Sequence, residues 1–189
     1  MSKILIIGDS CKDVYIYGEC KRLAPDSPVP VFVAVSDKNI ISLGANARIK
    51  TNKVGIEKKR YVEKNTNHMF IRVDSGEERI KRVSNLSKNL LEQYDLVAIS
   101  DYNKGFLHHD DIEFICQNHP LVFIDTKKKI GDFCKDCAFL KINNDEYEAS
   151  QDFLDSSAWA WEKLIVTLSS RGCSFKDKLY PVDKVEIKD

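Results

Sequence analysis

Five places in this sequence carry polar residues of chemical interest directly after a short apolar run. Asp9 follows Ile4-Leu-Ile-Ile-Gly8, Asp101 follows the run that ends at Ser100, and Asp125 and Lys127 follow the run beginning at Leu121. Asn143 and Glu146 close the run from Phe139, and Thr167 closes the one from Leu164. Runs of this length that end in Gly or a polar residue suit strands buried on both faces of a parallel sheet, where ligands gather at the carboxyl ends. Asp, Asn, Ser and Thr also cap helices after strands for local reasons, so Asn143 or Asp101 alone could do only that. The five together point to a binding site. Cys134 and Cys137 form a lone C-x-x-C, and a closed zinc site needs a second pair; no other C-x-x-C and no suitably spaced His pair is present. His108 and His109 are adjacent and would point apart. All six cysteines are expected to be reduced thiols.

The elements that must hold these residues follow from the apolar pattern. Residues 3–8 read as the first buried strand. Residues 9–30 mix aromatics with charges and close on Ala24-Pro-Asp-Ser-Pro-Val-Pro30, whose prolines favour extended chain, so this part reads as a strand entering an edge sheet. Residues 29–35 alternate weakly as a strand, residues 39–43 end at Gly44 like the last turn of a helix, and residues 47–50 resume β character. Residues 59–62 and 69–73 read as two strands about the polar turn Glu63-Lys-Asn-Thr-Asn67, forming a small β lid. After a polar, helix-forming stretch through Leu91 comes a strand-helix rhythm: strands at 96–100, 121–125, 139–143 and 164–168, with helices at 110–118 and near Asp145. That order implies right-handed crossover units and an α/β fold with a mostly parallel central sheet and flanking helices.

With 189 residues, 43% hydrophobic and 31% charged, the chain suits one soluble α/β domain over 1–189, with lid-like β elements at about 12–35 and 57–74. Lys plus Arg and Asp plus Glu are equal at 29 each, so no global field draws nucleic acid or an anionic membrane, and an anionic ligand must be met by local geometry. The apolar stretch at 3–8 is far shorter than a signal h-region or a spanning helix, which sets a cytoplasmic location as the expectation.

In order along the chain stand Ile7-Gly-Asp-Ser-Cys-Lys-Asp13, Tyr17-Gly-Glu, Arg22-Leu-Ala-Pro-Asp-Ser-Pro-Val-Pro30, Lys59-Arg-Tyr-Val62 and Phe70-Ile-Arg-Val-Asp74. Ser100-Asp-Tyr-Asn-Lys-Gly105, Ile124-Asp-Thr-Lys127, Lys141-Ile-Asn-Asn-Asp-Glu-Tyr-Glu148 and Val166-Thr-Leu-Ser-Ser-Arg-Gly172 follow. This series resembles the ribokinase/PfkB superfamily of carbohydrate kinases, and most of all the kinase domain of heptose 7-phosphate kinases. The resemblance implies ATP and Mg²⁺ as cofactors and a sugar or sugar phosphate as substrate. It makes Asp13, with Asp9 beside it, the sugar-facing carboxylates, since a carboxylate accepts two hydroxyl hydrogen bonds. Asp101 joins the substrate group, and Arg72 on the lid hairpin is matched to a phosphate on the sugar or to solvent. Asn143 and Glu146 match the N-x-x-E that organises magnesium through water. Lys127 would approach the phosphates, with Thr167 and Gly172 facing the nucleotide. Lids of this family often pair, so a homodimer through the hairpin around Lys64 is a further expectation.

Two family elements have no counterpart in the sequence. A G-G-x-x-N turn is expected just before Asn39, and the G-A-G-D segment with the catalytic base is expected beyond Asp189. No catalytic base is therefore assigned, phosphoryl transfer by the chain as given is expected to be impaired, and a degenerate sugar-phosphate or nucleotide binding protein or assembly subunit is the alternative. A dinucleotide oxidoreductase is disfavoured because no G-x-G-x-x-G follows the first strand.

Overall fold

The structure, a computed structural model, describes residues 2–42, 48–52 and 55–183. The strands are β1 (Ile4–Gly8), β2 (Cys11–Leu23), β3 (Pro30–Ser42), β4 (Arg48–Thr51), β5 (Ile56–Glu63), β6 (Met69–Ser75), β7 (Leu96–Asp101), β8 (Val122–Thr126), β9 (Phe139–Asn143), β10 (Leu164–Thr167), β11 (Cys173–Phe175) and β12 (Lys178–Tyr180). The helices are α1 (Lys88–Leu91), α2 (His109–Asn118), α3 (Asn144–Ser156) and α4 (Ala158–Trp161). Among the described residues no helix is long and apolar enough to cross a membrane. The chain divides into two compact units, the first comprising residues 2–9, 48–52 and 81–183 and the second residues 10–42 and 55–80.

The first unit is an eight-stranded sheet in the order β12-β11-β10-β9-β8-β7-β1-β4. Strands β4 through β10 in that order pair in parallel, and β11 and β12 add an antiparallel edge. The expected α/β fold with a mostly parallel central sheet is thus observed. Alternate residues of β7, β8 and β9 are buried: Val97 and Ile99, Val122 and Ile124, Leu140 and Ile142. Ile112 and Ile115 of α2 and Leu154 of α3 are fully buried with them, and each such side chain contributes roughly 1.5–3 kcal/mol. At Gly8 a Cβ would stand 1.8 Å from the Ser100 carbonyl oxygen, so the close approach of β1 to β7 requires glycine. Asp111 caps α2 by accepting from the His108 amide at 2.9 Å, and Arg82 grips both oxygens of Asp111 at 2.8 Å.

The second unit is a four-stranded sheet in the order β3-β2-β5-β6, with β2 and β5 parallel and the outer pairs antiparallel. Every residue of β6 is exposed, as are Val33 and Val35 of β3. Phe32 packs edge-on against Tyr61 at 5.3 Å and Phe70 at 5.8 Å.

Two sequence expectations are corrected. Residues 39–42 are not the end of a helix: they continue β3, paired opposite Val14, Asp13, Lys12 and Cys11 of β2, and this ladder overrides the local pattern. Leu43, Gly44 and Ala47 lie outside the described residues. The stretch before Leu91 holds only a 3₁₀ turn at Glu77–Arg79 and the single turn of α1, capped by Ser87. Asn85 has φ 57°, a left-handed backbone at which no helix can continue, and the Ser and Asn of this segment favour turns and caps over helix interior.

Candidate functional site

In the first unit the carboxyl ends of β1, β7, β8, β9 and β10 lie in sequence along one edge of the sheet. Asp9, just past β1, is 5% exposed. Its amide donates to the Ser100 carbonyl at 2.9 Å and its Oδ2 accepts from the Tyr102 amide at 2.7 Å, while its buried Oδ1 has no hydrogen-bond partner among the described residues. Burial pushes the Asp9 carboxyl above its ordinary pKa; the Tyr102 amide opposes this and the nearby Asp101 charge adds to it.

Asp101 ends β7 with its side chain fully buried. Its Oδ2 accepts from Thr126 Oγ1 at 2.5 Å, and its Oδ1 accepts from the Asn103 amide at 3.2 Å and from Lys128 Nζ at 3.4 Å. Asp101, expected on the substrate, is thus held by Thr126, Asn103 and Lys128. Lys127, immediately past β8, donates its amide to the Asp101 carbonyl at 2.9 Å and its ammonium to Glu146 Oε1.

Asn143 and Glu146 form a reciprocal cap on α3: Asn143 Oδ1 accepts from the Glu146 amide at 2.8 Å, and Glu146 Oε2 from the Asn143 amide at 2.7 Å. The N-x-x-E spacing therefore caps the helix and at the same time sets the Glu146 carboxylate against Lys127. Thr167 Oγ1 donates to the Ile142 carbonyl at 3.3 Å. It opens a cavity of about 550 Å³ lined by Asn143, Asn144 and Asp145 from the start of α3 and by Thr167, Ser169 and Arg171. Ser169 and Gly172 both have positive φ, 53° and 95°. A Cβ at Gly172 would stand 2.0 Å from the Tyr180 carbonyl, so this glycine shapes the loop through its backbone. Asp125 pairs with Lys141 at 2.9 Å.

Asp13 and Arg72 belong to the second unit. Asp13 is ion-paired with Arg60, whose guanidinium lies 5.1 Å from the centre of the Tyr15 ring. Arg72 grips Asp74 with two bonds of 2.7 and 2.6 Å.

Lys128, Thr126 and Asn103 were not singled out from the sequence. For Thr126 a signal existed, since it shares the buried side of β8 with Val122 and Ile124; nothing distinguishes Lys128 from its neighbours Lys127 and Lys129. The described cysteines are free, and Cys116, Cys134 and Cys137 are buried. Burial pushes the Cys116 thiol up to about 12 and that of Cys137 to about 11, which makes both poor nucleophiles and ligands. Among the described residues no group of three or more His, Cys, Asp or Glu is placed to hold a metal ion.

Solved kinases share this arrangement of strands. A ribokinase from Thermotoga maritima matches with a TM-score of 0.65 and 13% identity, covering 98% of this chain and 80% of its own. The fold is ribokinase-like. An Arabidopsis thaliana ribokinase solved with ribose and ATP gives 0.61 at 9% identity, over 98% of this chain and 78% of its own. Among curated proteins, the ribokinase-like chain is similar to the bifunctional protein HldE of a Nitratiruptor species, 24% identical over 97% of the chain and 52% of the relative. HldE of Helicobacter acinonychis is 28% identical over 94% of the chain and 52% of the relative. The chain spans about half the length of the curated relatives it matches. The Nitratiruptor alignment runs over 242 positions against a chain of 189 residues, so that relative carries internal segments with no counterpart here. No family model matches the sequence.

Proposed function

We propose that this chain is the sugar-binding and nucleotide-binding part of an ATP-dependent carbohydrate kinase acting on a sugar or sugar phosphate, with a seven-carbon sugar 7-phosphate as the leading candidate. The observation that carries this reading is the convergence of Lys127, Glu146, Asn143 and Thr167 at the carboxyl ends of β8, β9 and β10, beside an open cavity. Similarity to HldE over nearly the whole chain supports the sugar class.

In this reading a sugar hydroxyl attacks the γ-phosphorus in line, forming the new O–P bond as the bond to the β,γ-bridging oxygen breaks and ADP leaves, with the hydroxyl proton passing to a general base, a role assigned to no residue of this sequence. Mg²⁺-bound ATP supplies the phosphoryl group and the cation that neutralises it. Glu146 and Asn143 fit such a cation through its waters: they are hard oxygen donors, and a carboxylate already accepting two protein donors retains lone pairs for water. Lys127 carries a point charge to the phosphates, while Thr167 and the first turn of α3, which line the cavity, border the nucleotide together with Gly172, the residue after Arg171. Asp13 orients the sugar by accepting its hydroxyls, Asp9 offers its open Oδ1 to the same class of donor, and Arg72 takes a phosphate on the sugar in exchange for Asp74. Asp101 contributes from behind the site. The chain acts in the cytoplasm, and two copies pair through the four-stranded sheet, whose exposed Val33, Ile71 and Val73 favour a covering partner.

A second reading, binding without turnover, is favoured by the internal segments of the relatives that have no counterpart here. Calorimetry with Mg·ATP and with a panel of sugar phosphates, beside an assay of ADP release, decides. Binding of both ligands with ADP release, even at the small residual rate expected of an impaired kinase, supports the kinase, binding of either with no release above buffer supports the second reading, and no binding of either overturns both.

A further inference from the structure

Lys128 is 6% exposed, and a buried ammonium persists only where carboxylates and hydrogen bonds compensate it. Its Nζ donates to Asn103 Oδ1 at 2.8 Å and lies 3.3 Å from Asp101 Oδ2, with the Asp9 charge also within electrostatic reach. Thr126 reinforces this arrangement from both sides, donating its hydroxyl to Asp101 at 2.5 Å and accepting the Lys128 amide at 3.0 Å. Between them the Lys127 amide bonds the Asp101 carbonyl at 2.9 Å. Three consecutive residues are thus fastened to a single aspartate. Burial follows the same order: Thr126 and Lys128 are enclosed and Lys127 is turned outward, where its ammonium meets Glu146. Asn103, the fourth member, has φ 56°, a backbone conformation that an isolated loop rarely holds and that its bonds to Asp101 and Lys128 secure.

We infer that Lys128, together with Thr126, is a positioning residue: it clamps the buried Asp101 carboxylate and so fixes the turn after β8 that aims Lys127 at Glu146 and the nucleotide phosphates. This deepens the kinase reading and rests on it for the role of Lys127, while the clamp stands on geometry alone. Removing the Lys128 charge leaves Asp101 buried without its counter-ion, the turn loosens, and Lys127 samples directions away from Glu146. The Asp13 and Arg72 surroundings have no part in the network.

The test uses the full chain and two variants, Lys128→Met and Thr126→Val, the second of which leaves no buried charge unpaired and keeps its shape. Residue-resolved amide hydrogen exchange is read first. In Lys128→Met the Lys127 amide exchanges at least about tenfold faster, as for an outer-shell partner removed, while Ile115 of α2 and Leu154 of α3 keep their rates. Thr126→Val moves the same amide by about threefold, the worth of one neutral hydrogen bond, and decides alone if Lys128→Met does not fold. An unchanged Lys127 amide, or equal acceleration at all three positions, overturns the inference, because a merely structural residue loosens the whole unit. Calorimetry with Mg·ATP is read second: affinity falls about tenfold in Lys128→Met. Selective exchange at Lys127 in a protein that binds no Mg·ATP retains the clamp and overturns the kinase reading, so the two failures are distinguished.

Discussion

Asp9 and Asp101 in the eight-stranded unit and Asp13 in the four-stranded one are the same side chain in opposed surroundings. Asp101 has no exposed side-chain surface and is satisfied by a hydroxyl, an amide and a buried ammonium. Asp9 beside it keeps one oxygen without a hydrogen-bond partner among the described residues. Asp13 is 21% exposed and shares one ion pair with an arginine that rests on a tyrosine ring. In the first unit a carboxylate is costly to bury and costlier to mispair, so its partners are numerous and local structure is organised around it. In the second, water does part of the solvation and the pairing can be exchanged for a ligand's hydroxyls at small cost.

That contrast can be broken at either end. Asp101→Ala strands the Lys128 ammonium in the interior, and the unfolding free energy measured in urea is expected to fall by about 3–5 kcal/mol. Gly8→Ala forces a Cβ against the Ser100 carbonyl between β1 and β7, at a loss of about 3 kcal/mol, the upper end for overpacking. Asp13→Asn changes stability by less than about 1 kcal/mol; calorimetry shows sugar-phosphate affinity down about tenfold with Mg·ATP affinity intact, whereas equal loss of both would reduce Asp13 to a support of the fold. The smallest effect is a trend with pH at Asp9. Its raised pKa means that the folded state holds the proton more tightly than the unfolded chain, so wild-type stability falls as pH rises from the ordinary aspartate value through the raised one. Asp9→Asn cannot titrate, and its urea midpoint relative to wild type is expected to improve from pH 4 to pH 7; a constant difference would mean that Asp9 is solvated as in the unfolded chain.

The strand-helix rhythm from residue 96 onward was legible because each buried strand is a short apolar run closed by a polar residue, and the observed β7, β8, β9 and β10 agree with it to within a residue or two. The segment at 39–42 was misread because its local pattern resembles a helix end, while its pairing with residues 11–14 of β2, more than twenty residues earlier in the chain, makes it a strand. At the candidate site, Asn143 was open to helix capping by its residue type and to an N-x-x-E role with Glu146 by resemblance, and the backbone shows the two residues capping α3. Lys127 stood out by its place after a strand. Lys128 did not, because three successive lysines look alike until burial separates them.

Periodicity and polar punctuation were sufficient for the α/β class, the parallel order and the row of strand ends at which Asp9, Asp101, Lys127, Asn143 and Thr167 stand, because those depend on which residues can be buried in a sheet. Which of these residues turn inward and which remain open was decided only in three dimensions. Asp101 was closed off by Thr126 and Lys128 from a neighbouring strand end, and Asp9 was left with one oxygen open among the described residues, because hydrogen-bond satisfaction in the interior depends on partners that lie far away along the chain.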